Sequence, residues 1–222
     1  MNPGFLPTGT VYGTLLNFRA EVAALEAQMT QPPYKAPPKA PVLYVKPANT
    51  WSADGAAIPV PARVPEVELG ASIALVLGRD LRAVDLAGGA DPLAAVAGYL
   101  LVNDLSIPHA SFFRPPVKFK CLDGFCGIGP AVRAAGPGVD PAGFTLEVRI
   151  NGEVAQRVAF SGVVRSAAQL LADVTEFMTL RAGDLLLLGC DANRPRAKAG
   201  DRIEVHAPGF APLHNTLVAE AA

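Results

Sequence analysis

The dipeptide Asn151-Gly152, set between residues 144–150 and 153–160, constrains this chain more than any other local feature. A two-residue type I′ turn needs positive φ at both positions, which Asn and Gly tolerate, so the flanking runs predict an antiparallel hairpin. Two other stretches, 70–78 (GASIALVLG) and 98–102 (GYLLV), are almost continuously apolar. Such runs read as strands buried on both faces. Shorter strand patterns cover 11–16, 42–45, 185–188, 201–206 and 213–219, and the alternate prolines of 58–63 suit an edge segment.

Helical periodicity is confined to three places. After Asn17, a candidate N-cap, Phe18, Val22, Leu25 and Met29 recur on one face with Glu21 and Glu26 outside. Asp91-Pro92 opens a short Ala-rich helix, with proline at its favoured first position. Ser166 caps a third helix whose apolar face carries Leu170, Leu171, Val174, Phe177 and Met178. Many strands and few helices, not in alternation, predict an α+β domain dominated by mixed sheet. Pro32, Pro33, Pro37, Pro38 and Pro41 predict an extended, stiff arm over 31–41. The chain therefore divides into an N-terminal strand, helix and Pro-rich arm (1–41) and a main domain (42–222).

Half of the 222 residues are apolar, 18% are charged, and the formal net charge is −1. A sizeable core is expected, whereas nucleic-acid or anionic-membrane binding has no electrostatic support. The densest apolar run, 185–188, is far too short to span a bilayer. The opening MNPGFLPTGT lacks the charged and hydrophobic regions of a signal peptide. Three cysteines at irregular spacing point to reduced thiols and a cytoplasmic setting. No phosphate loop, dinucleotide fingerprint, GxSxG elbow or HExxH occurs.

Chemistry-bearing residues concentrate in 118–130 (KFKCLDGFCGIGP), where two lysines, an aspartate and two thiols sit beside three glycines. A lysine there can face an anion and an aspartate can orient it or move a proton, but a Gly-rich turn into a core strand explains the same residues. Asn103-Asp104 at the end of an apolar strand is a second candidate, because strand ends place side chains rigidly. Glu66 and Glu68 share one face of a strand, which suits either a Mg²⁺ or Mn²⁺ ligand pair or a solvated face.

Six segments in this order, VKPANT (45–50), GASIALVLG (70–78), GYLLVNDLS (98–106), KCLDGFCGIGP (120–130), the Asn-Gly hairpin and FMTLRAGDLLLLG (177–189), resemble the fumarylacetoacetate hydrolase family. The arm PPYKAPPKAPVLYVKPANT and the form KxKCxDGFCxIG narrow the resemblance to isomerase/decarboxylases of 4-hydroxyphenylacetate breakdown built from two repeats of the fold. A half ending near residue 222 looks like the version in which the repeats are separate subunits. The resemblance implies a mixed-sheet sandwich or roll and small anionic di- or tricarboxylate substrates. The two steps it implies are decarboxylation of 5-oxopent-3-ene-1,2,5-tricarboxylate and isomerisation of 2-hydroxyhepta-2,4-diene-1,7-dioate. It also implies a homodimer or a complex with a homologous C-terminal-type subunit. Two other readings stand beside it: a non-catalytic partner subunit, and a stand-alone acylpyruvate-type hydrolase.

Residue by residue, the resemblance makes Lys120 and Asp123 the catalytic pair, with Lys46, Arg114 and Cys190 as substrate contacts. The family's Mg²⁺ or Mn²⁺ is held by three carboxylates, of which Asp104 matches one. Counting back from Gly78, the expected Glu-x-Glu positions hold Gly70 and Ser72. Glu66 and Glu68 lie four residues upstream, roughly 13 Å along an extended strand. A single matching carboxylate leaves a hard dication mostly hydrated, so weak metal binding is expected. The His-x-x-Glu with which hydrolytic members activate water has no counterpart after Asn17.

Overall fold

A computed structural model describes residues 5–109 and 115–220. In chain order its strands are β1 (Val11–Leu15), β2 (Val42–Lys46), β3 (Trp51–Ser52), β4 (Ala57–Val60), β5 (Val67–Leu77), β6 (Val96–Ser106) and β7 (Cys126–Ile128). After them come β8 (Arg133–Ala134), β9 (Thr145–Ile150), β10 (Glu153–Ala159), β11 (Leu185–Leu187), β12 (Arg196–Ala197), β13 (Arg202–His206) and β14 (Leu213–Ala219). The α-helices are α1 (Arg19–Met29), α2 (Val117–Lys120) and α3 (Ala167–Thr175). Among the described residues no helix is long and apolar enough to cross a membrane.

The strands form two mixed sheets, as an α+β reading requires. The larger runs β2-β1-β11-β5-β6-β7-β3, with β12 added to β5 and β8 to β6; the smaller runs β10-β9-β13-β14-β4. The segment 1–41 places β1 inside the larger sheet, antiparallel to β2 and parallel to β11. The long antiparallel pair β5·β6 forms its spine, in register from Glu68 opposite Ser106 to Val76 opposite Gly98, with a bulge before Leu77 pairs with Val96.

Side chains alternate across this spine. Leu69, Ile73, Leu75, Leu101 and Leu105 join the main core, which also takes in Leu146, Val148, Val205 and Leu217 of the smaller sheet and Leu170, Leu171 and Val174 of α3. The opposite set, Ala74, Val76, Leu100 and Val102, packs with Val11, Cys126, Ile128, Leu185 and Leu187 in a second cluster. Two cores on two faces explain why β5 and β6 read as unbroken apolar runs. At one end of the second face the residues turn polar: Gly70 lies opposite Asp104, and Ser72 is fully buried.

Several local expectations are corrected. Asn17 does not cap α1; Phe18 holds the cap position without a side-chain hydrogen bond. The Asn17 amide is buried and instead donates to the Leu188 carbonyl and accepts from the Arg165 N–H, stitching three segments together. Glu21, expected outside, is buried. The arm at 31–41 is not extended throughout, because the Gln31 carbonyl accepts from both Tyr34 and Lys35 and closes a turn. Proline's fixed φ serves a turn as well as an extended chain, so its density alone did not decide. Residues 92–95 form a 3-10 turn, with Asp91 accepting from the Leu93 N–H. The third helix stops at Thr175, leaving Phe177 exposed beyond it.

The hairpin forms with φ of 53° at Asn151 and 88° at Gly152. The Asn151 side chain also accepts from the Arg202 N–H and donates to Asp201, tying the turn to β13. Asn151→Val puts a β-branched residue at positive φ and removes both bonds. It should cost about 1–3 kcal/mol, read as a lower urea midpoint at unchanged m-value.

Candidate active site

Asp104 lies inside β6, two residues before its end, and is 1% exposed. Its carboxylate meets two ammonium groups: Lys46 Nζ lies 2.6 Å from Oδ1 and Lys120 Nζ lies 2.7 Å from Oδ2. The Tyr44 hydroxyl also donates to Oδ2. Tyr44 and Lys46 are two apart on β2, so one face of that strand delivers both. Lys120 comes from the last position of α2 and also sits 4.5 Å from the centre of the Tyr44 ring. Gly13, opposite Tyr44 on β1, makes room for that ring; a Cβ there would lie 2.0 Å from Tyr44 Cζ.

The two lysines are not equivalent. Lys46 is fully buried, and besides Asp104 it donates to the carbonyls of Leu105, Lys120 and Phe125 at 2.6–2.9 Å. Its three N–H groups are consumed by the protein, which makes it a brace for three backbone segments rather than a contact for a distal carboxylate. Lys120 has a single hydrogen-bond acceptor, Asp104, among the described residues. Lys120 also lines a cavity walled by Leu15, Val42, Tyr44 and Pro116. It is the cation of the cluster with donors to spare for a ligand.

Burial alone would raise the Asp104 pKa, but the Lys120 and Lys46 ammonium groups outweigh it and hold the carboxyl well below the usual range. Burial lowers the Lys120 pKa, with Asp104 opposing that shift. Burial, reinforced by the Asp104 charge, keeps the Tyr44 phenol protonated. Cys190 is buried and its thiol, pushed by burial up to about 12, lies 3.2 Å from the Gly70 carbonyl.

The other candidates fall elsewhere. Asp123 is exposed and accepts from Asn49 Nδ2 at 2.7 Å; the carboxylate on Lys120 is Asp104. Glu66 and Glu68 both face Arg196, at 3.8 and 3.7 Å, with Glu66 just outside β5. Arg114 lies outside the described residues. Cys190 packs on Gly70 rather than lining the cavity beside Lys120.

A Mg²⁺ or Mn²⁺ ion does not fit these residues. Both Asp104 oxygens face ammonium groups, and Ser72 Oγ donates to the Gly189 carbonyl at 2.6 Å. At Gly70 a Cβ would meet the Asp104 carbonyl oxygen at 2.6 Å and Cys190 Sγ at 2.9 Å. The position that a second ligand would use is therefore closed. Among the described residues no three His, Cys, Asp or Glu side chains gather around one point.

Two functional candidates had escaped the sequence reading. Tyr44 carries a usable signal, its i, i+2 spacing to Lys46. Arg194 carries none: it lies in the loop before β12, its side chain 11% exposed, and is paired through Nη2 with Glu21. Glu21 also accepts from the Leu16 N–H. Burial raises its pKa, outweighing Arg194, Leu16 and Lys120, which lower it.

Residues 10–218 match the family model described as Fumarylacetoacetate (FAA) hydrolase C-terminal. The chain is 42% identical over 212 residues to the 4-hydroxyphenylacetate degradation bifunctional isomerase/decarboxylase of Escherichia coli, covering 96% of this chain and 48% of that protein. It thus spans about half the length of the curated relatives it matches. The fold is also that of 5-carboxymethyl-2-hydroxymuconate delta-isomerase from Mycobacterium smegmatis, with a TM-score of 0.76 at 23% identity over 99% of this chain and 82% of that one. A 2-hydroxyhepta-2,4-diene-1,7-dioate isomerase from Mycobacterium marinum superposes with a TM-score of 0.76 at 22% identity, covering 99% and 78%.

Asp104→Asn leaves two buried ammonium groups without their counter-ion and should cost about 3–5 kcal/mol in chemical denaturation. Because the Asp104 pKa is depressed by folding, its stabilisation is present above the unfolded carboxylate value of about 3.9 and fades as pH falls below it. The variant should lose that part of the acid-side decline in stability. Calorimetric titration with Mn²⁺ should show no micromolar binding. Such binding, if abolished by Asp104→Ala, would contradict the register that places Gly70 opposite Asp104.

Proposed function

This chain belongs to the fumarylacetoacetate hydrolase family, and on that premise we propose that it is one subunit of an isomerase/decarboxylase of 4-hydroxyphenylacetate breakdown. Its substrates in this reading are 2-hydroxyhepta-2,4-diene-1,7-dioate, which it ketonises, and 5-oxopent-3-ene-1,2,5-tricarboxylate, which it decarboxylates. A homologous C-terminal-type subunit supplies the other half of the assembly. The identity to the Escherichia coli protein supports this assignment. Three free cysteines suit a cytoplasmic setting.

The observation that carries the reading is the buried Lys120 ammonium, held by Asp104, on a residue that lines a cavity. Both reactions pass through a dienolate, whose oxygen needs a fixed positive charge as it develops. Lys120 is preorganised for that task, because Asp104 and the Tyr44 ring hold it before substrate arrives. The wider cluster sets three cations, Lys46, Lys120 and Arg194, against two carboxylates, Asp104 and Glu21. One buried positive charge in excess favours an anionic ligand.

One observation favours a second reading. Because Asp104 is taken by lysines and Gly70 is closed, a sister subunit could carry the dication and the chemistry while this chain supplies fold and interface. Turnover of both substrates by the co-expressed complex separates the two. Lys120→Ala should lower kcat by about 10²–10³-fold if Lys120 stabilises the oxyanion, and an unchanged rate would assign the chemistry to the partner.

A further inference from the structure

Dienolate chemistry also needs a group that takes up and returns a proton, and most buried candidates here cannot. Asp104 is neutralised by two ammonium groups and held ionised far below neutral pH. Tyr44 already donates its proton to Asp104. Cys190 remains a thiol at neutral pH and bonds the Gly70 carbonyl. Asp123 is exposed on the Asn49 side of the molecule.

Glu21 is different. It is 5% exposed, on α1, and it lines an apolar cavity with Leu15, Leu25, Met29, Pro38 and Val42. Leu15 and Val42 are a directly opposed pair on β1 and β2, and both also line the cavity onto which Lys120 opens. The two cavities therefore share one wall, with a cation in the lining of one and a carboxylate in the lining of the other. A flexible, exposed glutamate would make no such site. This one is fixed at both oxygens, by the Leu16 N–H and by Arg194.

We propose that Glu21 is the proton-transferring residue of this site and that Arg194 is its positioning residue, with a conjugated dienol dicarboxylate bound where the two cavities adjoin at Leu15 and Val42. This rests on the dienolate reading above. The Glu21 carboxylate takes the enol O–H proton, and the freed electron pair forms the 2-oxo C=O. The double bond shifts from C2–C3 to C3–C4, and the π pair of C4–C5 takes the same proton back from Glu21 to form the new C5–H bond. Nothing is oxidised or reduced, and Lys120 neutralises the intermediate oxygen. The charged and titratable groups that face Glu21 are Arg194, Lys120 and Cys190, with Tyr34 in the same cavity lining.

The co-expressed complex tests this with two variants. Glu21→Gln keeps the side-chain shape and one acceptor oxygen, enough for Leu16 or Arg194 but not both, and cannot cycle a proton; kcat for isomerisation should fall by about 10²–10⁴-fold with KM near the wild-type value. Arg194→Gln removes a positive neighbour, so the Glu21 pKa rises further and the acid limb of the kcat/KM profile should move to higher pH. A Glu21→Gln complex that keeps the wild-type kcat overturns the role. So does an unmoved acid limb in Arg194→Gln, which serves on its own if the first variant fails to fold. A wild-type complex that turns over neither substrate sinks the functional reading itself, and this role with it.

Discussion

A carboxylate clamped between two buried ammonium groups is the interaction around which the rest of this protein is arranged. Asp104 accepts Lys46 on one oxygen and Lys120 on the other, with no solvent to soften either contact. Burying such charges is costly, and the cost is offset only when geometry is close and the remaining donors are satisfied. Lys46 meets that condition by donating to three carbonyls, which fastens the ends of β2 and β6 to the turn between α2 and β7. The same clamp presents Lys120 to the cavity, so the structural element and the chemical one share an aspartate.

Strand parity explains how an apolar sheet can host that clamp. The even-numbered face of β5 and β6 holds a second hydrophobic cluster at Ala74, Val76, Leu100 and Val102, then changes to Ser72, Gly70 and Asp104 at one end. Apolar packing on both sides of the spine fixes the register, and a one-residue slip would exchange the two faces and carry Asp104 into the main hydrophobic core. The aspartate is consequently held to a single location by contacts that have nothing to do with its charge. Its partners reach it from β2 and α2, elements far apart in sequence.

The metal question turns on the same register. Gly70 opposite Asp104 is a contact surface for Cys190 rather than an unused ligand position, since the thiol and the Asp104 carbonyl fill the space a side chain would need. Where a dication would bring two positive charges, this chain brings lysine ammonium groups. Lysine is a compact point charge that can stabilise an oxyanion, though it cannot chelate. That distinction separates a site able to polarise one oxygen from one able to grip two.

The strand pattern, the hairpin at Asn151-Gly152 and the two-faced burial of β5 and β6 were legible in the chain itself, because period-2 alternation and turn chemistry are local. The mismatch at Gly70 and Ser72 came from setting this strand against the motif that the family resemblance implies. Partner choice was not legible. Asp123 lies three residues from Lys120 yet bonds Asn49, while Asp104, sixteen residues before it, holds the lysine. Glu21 looked solvated on the helix periodicity of α1, yet it is buried and paired with Arg194 from a distant loop. Short-range pattern decides which face a side chain takes; only the packing of remote segments decides what stands opposite, and burial and charge pairing depend on that second choice.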